Sequence, residues 1–237
     1  MTSSLVGSEM CIRDRYYTTG LLTLVSFITL TAIVKLSYTH APIPSIDSHL
    51  QTVAWHLQNN EFLVQISSVI AKFLGDTMGA IIGLVIAAII FIKDKVSAIW
   101  LALVAGIAVG GNTLIKLVIG RDRPDIHRVA AFTDEPGKSF ASGHTTFAVV
   151  LFGCLFFILL HYLSSVWSKT LVGFVAVGLI FLTMFSRVLL GVHYPSDTLG
   201  GLLWGLSVIC LTYPTYLHYK NSEKPQPYIP KRMRKAD

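Results

Sequence analysis

Ser186-Arg187-Val188-Leu189-Leu190-Gly191-Val192-His193-Tyr194-Pro195-Ser196-Asp197 delivers an arginine, a histidine and an aspartate out of a long apolar run. Ionisable groups in so hydrophobic a setting are costly, and they mark candidate functional positions. With Asp197 four residues after His193, the carboxylate can hold one ring nitrogen and leave the other free and more basic for attack. Asp197 would orient and His193 would attack. A satisfied histidine at a helix end is the competing reading of this stretch alone, and two further stretches bear on it. Upstream stands Lys116-Leu117-Val118-Ile119-Gly120-Arg121-Asp122-Arg123-Pro124, and between the two stands Ser139-Phe140-Ala141-Ser142-Gly143-His144. Lys116, Arg123 and Arg187 supply three fixed cations. Ser142 and Gly143 offer donors at a predicted helix start, where backbone N–H groups bind anions, and His144 is a second titratable imidazole. That inventory suits a phosphate group.

Lys-x6-Arg-Pro, Ser-Gly-His and Ser-Arg-x5-His-x3-Asp, in this order, resemble the three-part signature of the type 2 phosphatidic acid phosphatase family, the membrane relatives of vanadium haloperoxidases. The resemblance spans residues 116–197. One position departs, because Ala141 stands where the family usually has proline before Ser-Gly-His; this affects loop geometry and no reacting group. The resemblance implies hydrolysis of a phosphate ester or anhydride through a phosphohistidine. His193 would be the nucleophile and Asp197 its orienting carboxylate, while His144 would protonate the leaving oxygen and then activate water. Lys116, Arg123, Arg187, Ser142 and Gly143 would hold the non-bridging oxygens. Arg121 and Arg128 are read as loop charges. No carboxylate cluster is spaced for two metals, so a metal-independent reaction without a cofactor is expected.

The balance of 53% hydrophobic to 14% charged residues in 237 is not that of a soluble domain. The expected fold is all-α: a polytopic membrane protein of about six spanning helices with the site at one membrane face. A formal charge of +6 could suggest nucleic acid, but the basic residues gather near the C-terminus, in Lys220, Lys224, Lys231, Arg232, Arg234 and Lys235, without a reading helix or aromatic platform. Membrane lipids with anionic headgroups are the expected neighbours. Cys11, Cys154 and Cys210 show no pairing or ligand spacing, and the last two are read as packing residues.

Met10-Cys11-Ile12-Arg13-Asp14 is what one frame of a transposon-end sequence used in library preparation encodes. Residues 1–15 are therefore read as an assembly artefact and set aside, with the natural N-terminus expected to be absent. Residues 16–219 form the expected six-helix domain, and residues 220–237 a basic cytoplasmic tail. The spans are placed at 16–36, 76–92, 98–119, 144–162, 169–190 and 196–217, each near the length that crosses about 30 Å of hydrocarbon. Residues 38–60, with Pro42 and Pro44, read as a loop, and Lys93-Asp94-Lys95 as a charged turn. Phe62, Ile66, Val69, Ile70 and Phe73 repeat at helical spacing, which predicts an amphipathic helix ending near Gly75, either lying on the membrane or extending the next span.

Six spans bring all three motifs to one face. Lys93, Lys95, Lys169 and the tail cations fall on the other, so a modest positive-inside bias puts the site outside, in a bacterial cytoplasmic membrane. The expected substrate is a lipid phosphate: undecaprenyl diphosphate by analogy with relatives, with phosphatidylglycerol phosphate and phosphatidic acid as alternatives. A lipid phosphotransferase is a rival within the resemblance. An anion or lipid transporter is a rival from another class, disfavoured because no inverted repeat is evident and the polar groups cluster at one face.

Overall fold

The computed structural model describes residues 2–222, with side chains from Arg13 onward and that of Asp76 excepted. The described residues are helical and loop, without a strand. Their order is α1 (Thr2–Ser37), a π-helical turn (Pro44–Ser48), α2 (His49–Leu57), α3 (Glu61–Phe73), α4 (Asp76–Lys93), α5 (Lys95–Ile119), a 3-10 turn (Ala130–Phe132), α6 (Gly143–Leu160), α7 (Val166–Leu189) and α8 (Pro195–Ser222). Five helices are long and apolar enough to cross a bilayer, and a sixth is added if α3 and α4, bent by 61° at their junction, count as one span. The chain is an integral membrane protein of the expected class. α1 runs without a break through the segment set aside as an artefact.

A core of α5, α6 and α8 side chains holds the bundle, with Val104, Val149, Val150 and Ile209 fully or almost fully buried. α1 packs along α8, where Tyr16 meets Tyr213 with ring centroids 4.6 Å apart and Phe27 meets Trp204 at 5.5 Å. Large apolar side chains face outward instead, among them Leu84, Leu117, Phe174 and Phe181. In water that surface would be a liability, and in lipid it is the solvated face.

Two expectations are corrected. Residues 38–60 are no plain loop: a π-helical turn and α2 occupy most of them, and α2 buries Gln51 as well as Ala54. The carboxamide of Gln58, the cap of α2, donates to the carbonyls of His127 and Leu189 and so ties α2 to the junction after α7. Asp94 does sit in the expected charged turn between α4 and α5, but its burial was not foreseen. It is 4% exposed, accepts from the Ser97 N–H at the start of α5 and from Tyr162, and pairs with Lys220 at 2.8 Å. Lys220 is a residue of α8, so the expected basic cytoplasmic tail does not begin at it; residues 223–237, with the other tail cations, lie outside the described residues. α5 is 25 residues long, so at 1.5 Å per residue the Asp94 cluster stands roughly 37 Å from the far end of that helix, where the phosphate-binding motifs gather.

Candidate active site

The starts of α6 and α8 and the ends of α5 and α7 meet at one end of the bundle, and each brings one of the predicted residues. His193 lies in the short link from α7 to α8 and is 1% exposed. Gly191, two residues earlier, has φ 73°, and a methyl group on it would fall 2.3 Å from the His127 carbonyl oxygen. Only glycine allows the turn and the approach together.

The tautomer of His193 follows from its partners. Arg123 Nη1 lies 3.1 Å from Nε2, and since a guanidinium only donates, Nε2 carries the lone pair. Nδ1 then carries the proton. It stands 3.3 Å from Ser139 Oγ and 3.5 Å from Asp197 Oδ2, while Ser139 Oγ in turn donates to that carboxylate oxygen. Asp197 is at the ring as the i, i+4 spacing requires, with a serine hydroxyl wedged beside it. Burial, and after it the charges of Arg123, Arg187 and Lys116 with His144 nearby, hold the His193 pKa well below the usual 6.5. The imidazole is therefore neutral, with its lone pair turned toward the cations.

Arg121 is not a loop charge. Its side chain is fully buried and shared between two equally buried carboxylates, with Nη1 at 2.7 Å from Asp197 Oδ1 and Nη2 at 2.9 Å from Asp47 Oδ2. Nε and Nη2 also donate to the Tyr38 and Ala41 carbonyls, and the guanidinium lies 4.1 Å from the centre of the Tyr194 ring. Asp47 completes the knot by accepting from the Ser196 N–H and hydroxyl at the start of α8. A cation alone in this position would be prohibitive, but two carboxylates and two carbonyls meet it. Arg128, by contrast, does staple its loop, donating to the Pro124 and Thr133 carbonyls.

The other cations stand close by at the same end of the bundle. Arg123 is fixed by the Gly137, Pro136 and Val192 carbonyls as well as by His193. Arg187, fully buried at the end of α7, donates to Glu135, whose carboxylate also stands 3.9 Å from Arg123 Nη1. Lys116 is in the last turn of α5, and its ammonium would lie 3.7 Å from a methyl on Gly143. Ser142 caps α6: its Oγ accepts from Thr145 N–H and its own N–H donates to the Asp197 carbonyl. Ala141 is fully buried behind it, following a cis peptide bond from Phe140. His144, in the first turn of α6, donates from Nε2 to the Ala71 carbonyl of α3 at 3.0 Å, which leaves Nδ1 as its proton-accepting nitrogen.

All eight predicted residues, Lys116, Arg123, Ser142, Gly143, His144, Arg187, His193 and Asp197, thus belong to one end of the bundle. Asp47, Arg121, Glu135 and Ser139 join them without having been singled out as site residues. Ser139 and Arg121 sit inside the motif stretches, so their nearness was the available signal; Asp47 and Glu135 come from segments that carry none.

Residues 97–220 match the model of the PAP2 superfamily. Phosphatidylglycerophosphatase B of Bacillus subtilis is 34% identical over 101 residues, 42% of this chain and 48% of that protein. A lipid A 1-phosphatase of Rhizobium johnstonii is 36% identical over 106 residues, covering 42% of this chain and 39% of its own. The decaprenylphosphoryl-5-phosphoribose phosphatase of Mycobacterium tuberculosis is 36% identical over 117 residues, 46% of this chain and 56% of that one. The matches span about half the length of these curated relatives. A solved Bacillus subtilis structure, described as a transmembrane PAP2 type phosphatidylglycerolphosphate phosphatase, superposes with a TM-score of 0.71 at 25% identity, covering 87% of this chain and 98% of that one.

Proposed function

The chain belongs to the PAP2 superfamily, and from that premise we propose that it is a lipid-phosphate phosphatase working through a phosphohistidine on His193. The observation that carries this reading is the lone pair of His193 Nε2, held toward Arg123 within a group of three cations. Nε2 attacks phosphorus, the bond from phosphorus to the leaving oxygen breaks, and His144, its Nε2–H kept on the Ala71 carbonyl, gives that oxygen a proton that Nδ1 has taken up from solvent beforehand. Water then attacks the phosphohistidine, His144 takes the water's proton, and phosphate leaves with His193 restored. Asp197 and Ser139 hold the Nδ1 proton and stabilise the charge that the ring acquires. Lys116, Arg123 and Arg187 meet the negative charge on the equatorial oxygens, with the N–H groups at the start of α6 behind them. Metal independence is part of this proposal: Lys116, Arg123 and Arg187 supply the positive charge that a metal ion would otherwise bring to the transferring phosphoryl group.

The substrate is a lipid phosphate presented at headgroup depth, because the site is built from helix ends. The relatives are named as phosphatases of phosphatidylglycerophosphate, lipid A and decaprenylphosphoryl-5-phosphoribose, and phosphatidylglycerol phosphate takes first place here through the two Bacillus subtilis proteins. Undecaprenyl diphosphate, the analogy drawn from sequence, gains nothing from these comparisons. The site is assigned to the outer face of a bacterial cytoplasmic membrane, with Lys93, Lys95 and Lys169 on the inner side.

The test is phosphate release by the protein in detergent from phosphatidylglycerol phosphate, phosphatidic acid, undecaprenyl diphosphate and glycerol phosphate. The expected order puts phosphatidylglycerol phosphate first and glycerol phosphate far behind, with His193→Ala inert and chelator without effect. Equal specificity for glycerol phosphate and every lipid would recast the protein as a general phosphatase. Chelator loss restored by a divalent ion would refute the metal-free reading, and transfer to an added acceptor alcohol in place of release would make the protein a phosphotransferase.

A further inference from the structure

We propose that Asn112 is a further substrate-binding residue, whose side-chain amide holds the phosphate group beside Lys116. The inference rests on the phosphatase reading of the site. Asn112 lies on α5 one turn before Lys116, so the two share a face of that helix. It is 4% exposed within a membrane-spanning segment, where an amide is expensive unless its hydrogen bonds are met. Its Oδ1 has no hydrogen-bond partner among the described residues.

The amide is nonetheless well placed for a ligand. A methyl group on Gly143 would stand 3.5 Å from Asn112 Nδ2 and 3.7 Å from Lys116 Nζ, so the amide and the ammonium both come up to the bare backbone at the start of α6. Polar side chains in spanning helices commonly glue one helix to another. Asn112 does not do so: the nearby indole N–H of Trp204 goes to the Ala108 carbonyl, and the Ser142 hydroxyl accepts from Thr145. A phosphate bound at that helix start would take a hydrogen bond from Nδ2 on a non-bridging oxygen. Oδ1 could accept the P–OH proton of the monoanionic form, which none of the three cations is able to do.

The experiment compares Asn112→Leu, Asn112→Asp and His193→Ala, purified in detergent, by thermal unfolding, by kcat/KM for the best lipid substrate of the panel, and by vanadate affinity. Leu keeps the volume and removes the orphan acceptor, so its unfolding temperature should equal or exceed the parent's. Its kcat/KM and vanadate affinity should each fall roughly 10- to 100-fold, the size of a hydrogen bond to a charged group. Asp should lose more, since it sets a negative charge beside the phosphate. A Leu variant within twofold of the parent in both readouts, while His193→Ala is inert, overturns the role of Asn112 alone. A Leu variant that unfolds at lower temperature would make Asn112 structural and also overturn it. Turnover by His193→Ala near the parent rate would instead defeat the underlying reading of the site.

Discussion

At the scale of single residues, the site is a set of hydrogen bonds that leave His193 one way to carry its proton. Because burial and the neighbouring cations lower its pKa, an unfolded chain takes up a proton near 6.5 that the native one refuses. Native stability from this group is therefore present above pH 6.5 and declines as pH falls through it. We expect the nitrogen NMR signals of His193 to remain those of a neutral, Nδ1-protonated ring to well below pH 6.5; titration at or above 6.5 would contradict the arrangement. Arg121 gives a second expectation. Arg121→Leu strands the buried carboxylates of Asp47 and Asp197 and should cost about 3–5 kcal/mol of stability. Asp47→Asn keeps a polar side chain there and should fold, with kcat reduced about tenfold as Asp197 loses its registration; unfolding curves and kinetics in detergent read both. The motif residues were legible because their chemistry is unusual in apolar sequence. Arg121 was misread because two carboxylates far away in the chain, invisible to spacing, make its burial possible.

At the scale of elements, α3 combines an exposed apolar face with a hold on His144. Phe62, Val69 and Phe73 are 66%, 49% and 53% exposed on it, while its Ala71 carbonyl holds His144. Helical periodicity revealed this amphipathic segment directly, and the bend of 61° shows that it is more than a straight extension of α4. α2 escaped notice for another reason: Leu50, Val53, Ala54 and Leu57 do repeat at helical spacing, but Pro42, Pro44 and the polar residues around them read as loop, and what α2 and the preceding turn bury includes Gln51 and Asp47. If α3 seats on lipid, replacing Phe62, Val69 and Phe73 by Asn should reduce turnover of vesicle-borne substrate about tenfold more than turnover in micelles. Equal losses in the two assays would remove the membrane from the account of α3.

At the scale of the molecule, chemistry occupies one end of the bundle and a fastening occupies the other. Asp94 joins Ser97, Tyr162 and Lys220, and Ser97 passes the connection to Tyr216. Asp94→Ala removes a helix cap and half of a largely buried ion pair together, so about 3–5 kcal/mol of stability should go while KM stays within twofold. A large change in KM would mean that the two ends communicate. The membrane-spanning class was readable from hydropathy, whereas this fastening was not, because Lys93-Asp94-Lys95 looks like any charged turn. The shared guanidinium of Arg121 has one more implication. Residues 97–220 match the family, yet Asp47 and Ala71 lie upstream of them. What is inherited as a recognisable pattern and what must be kept together to work therefore have different borders: a chimera carrying only the matched segment would import the proposed reacting groups and leave behind both Asp47, one of the two counter-charges of Arg121, and the carbonyl that steadies His144.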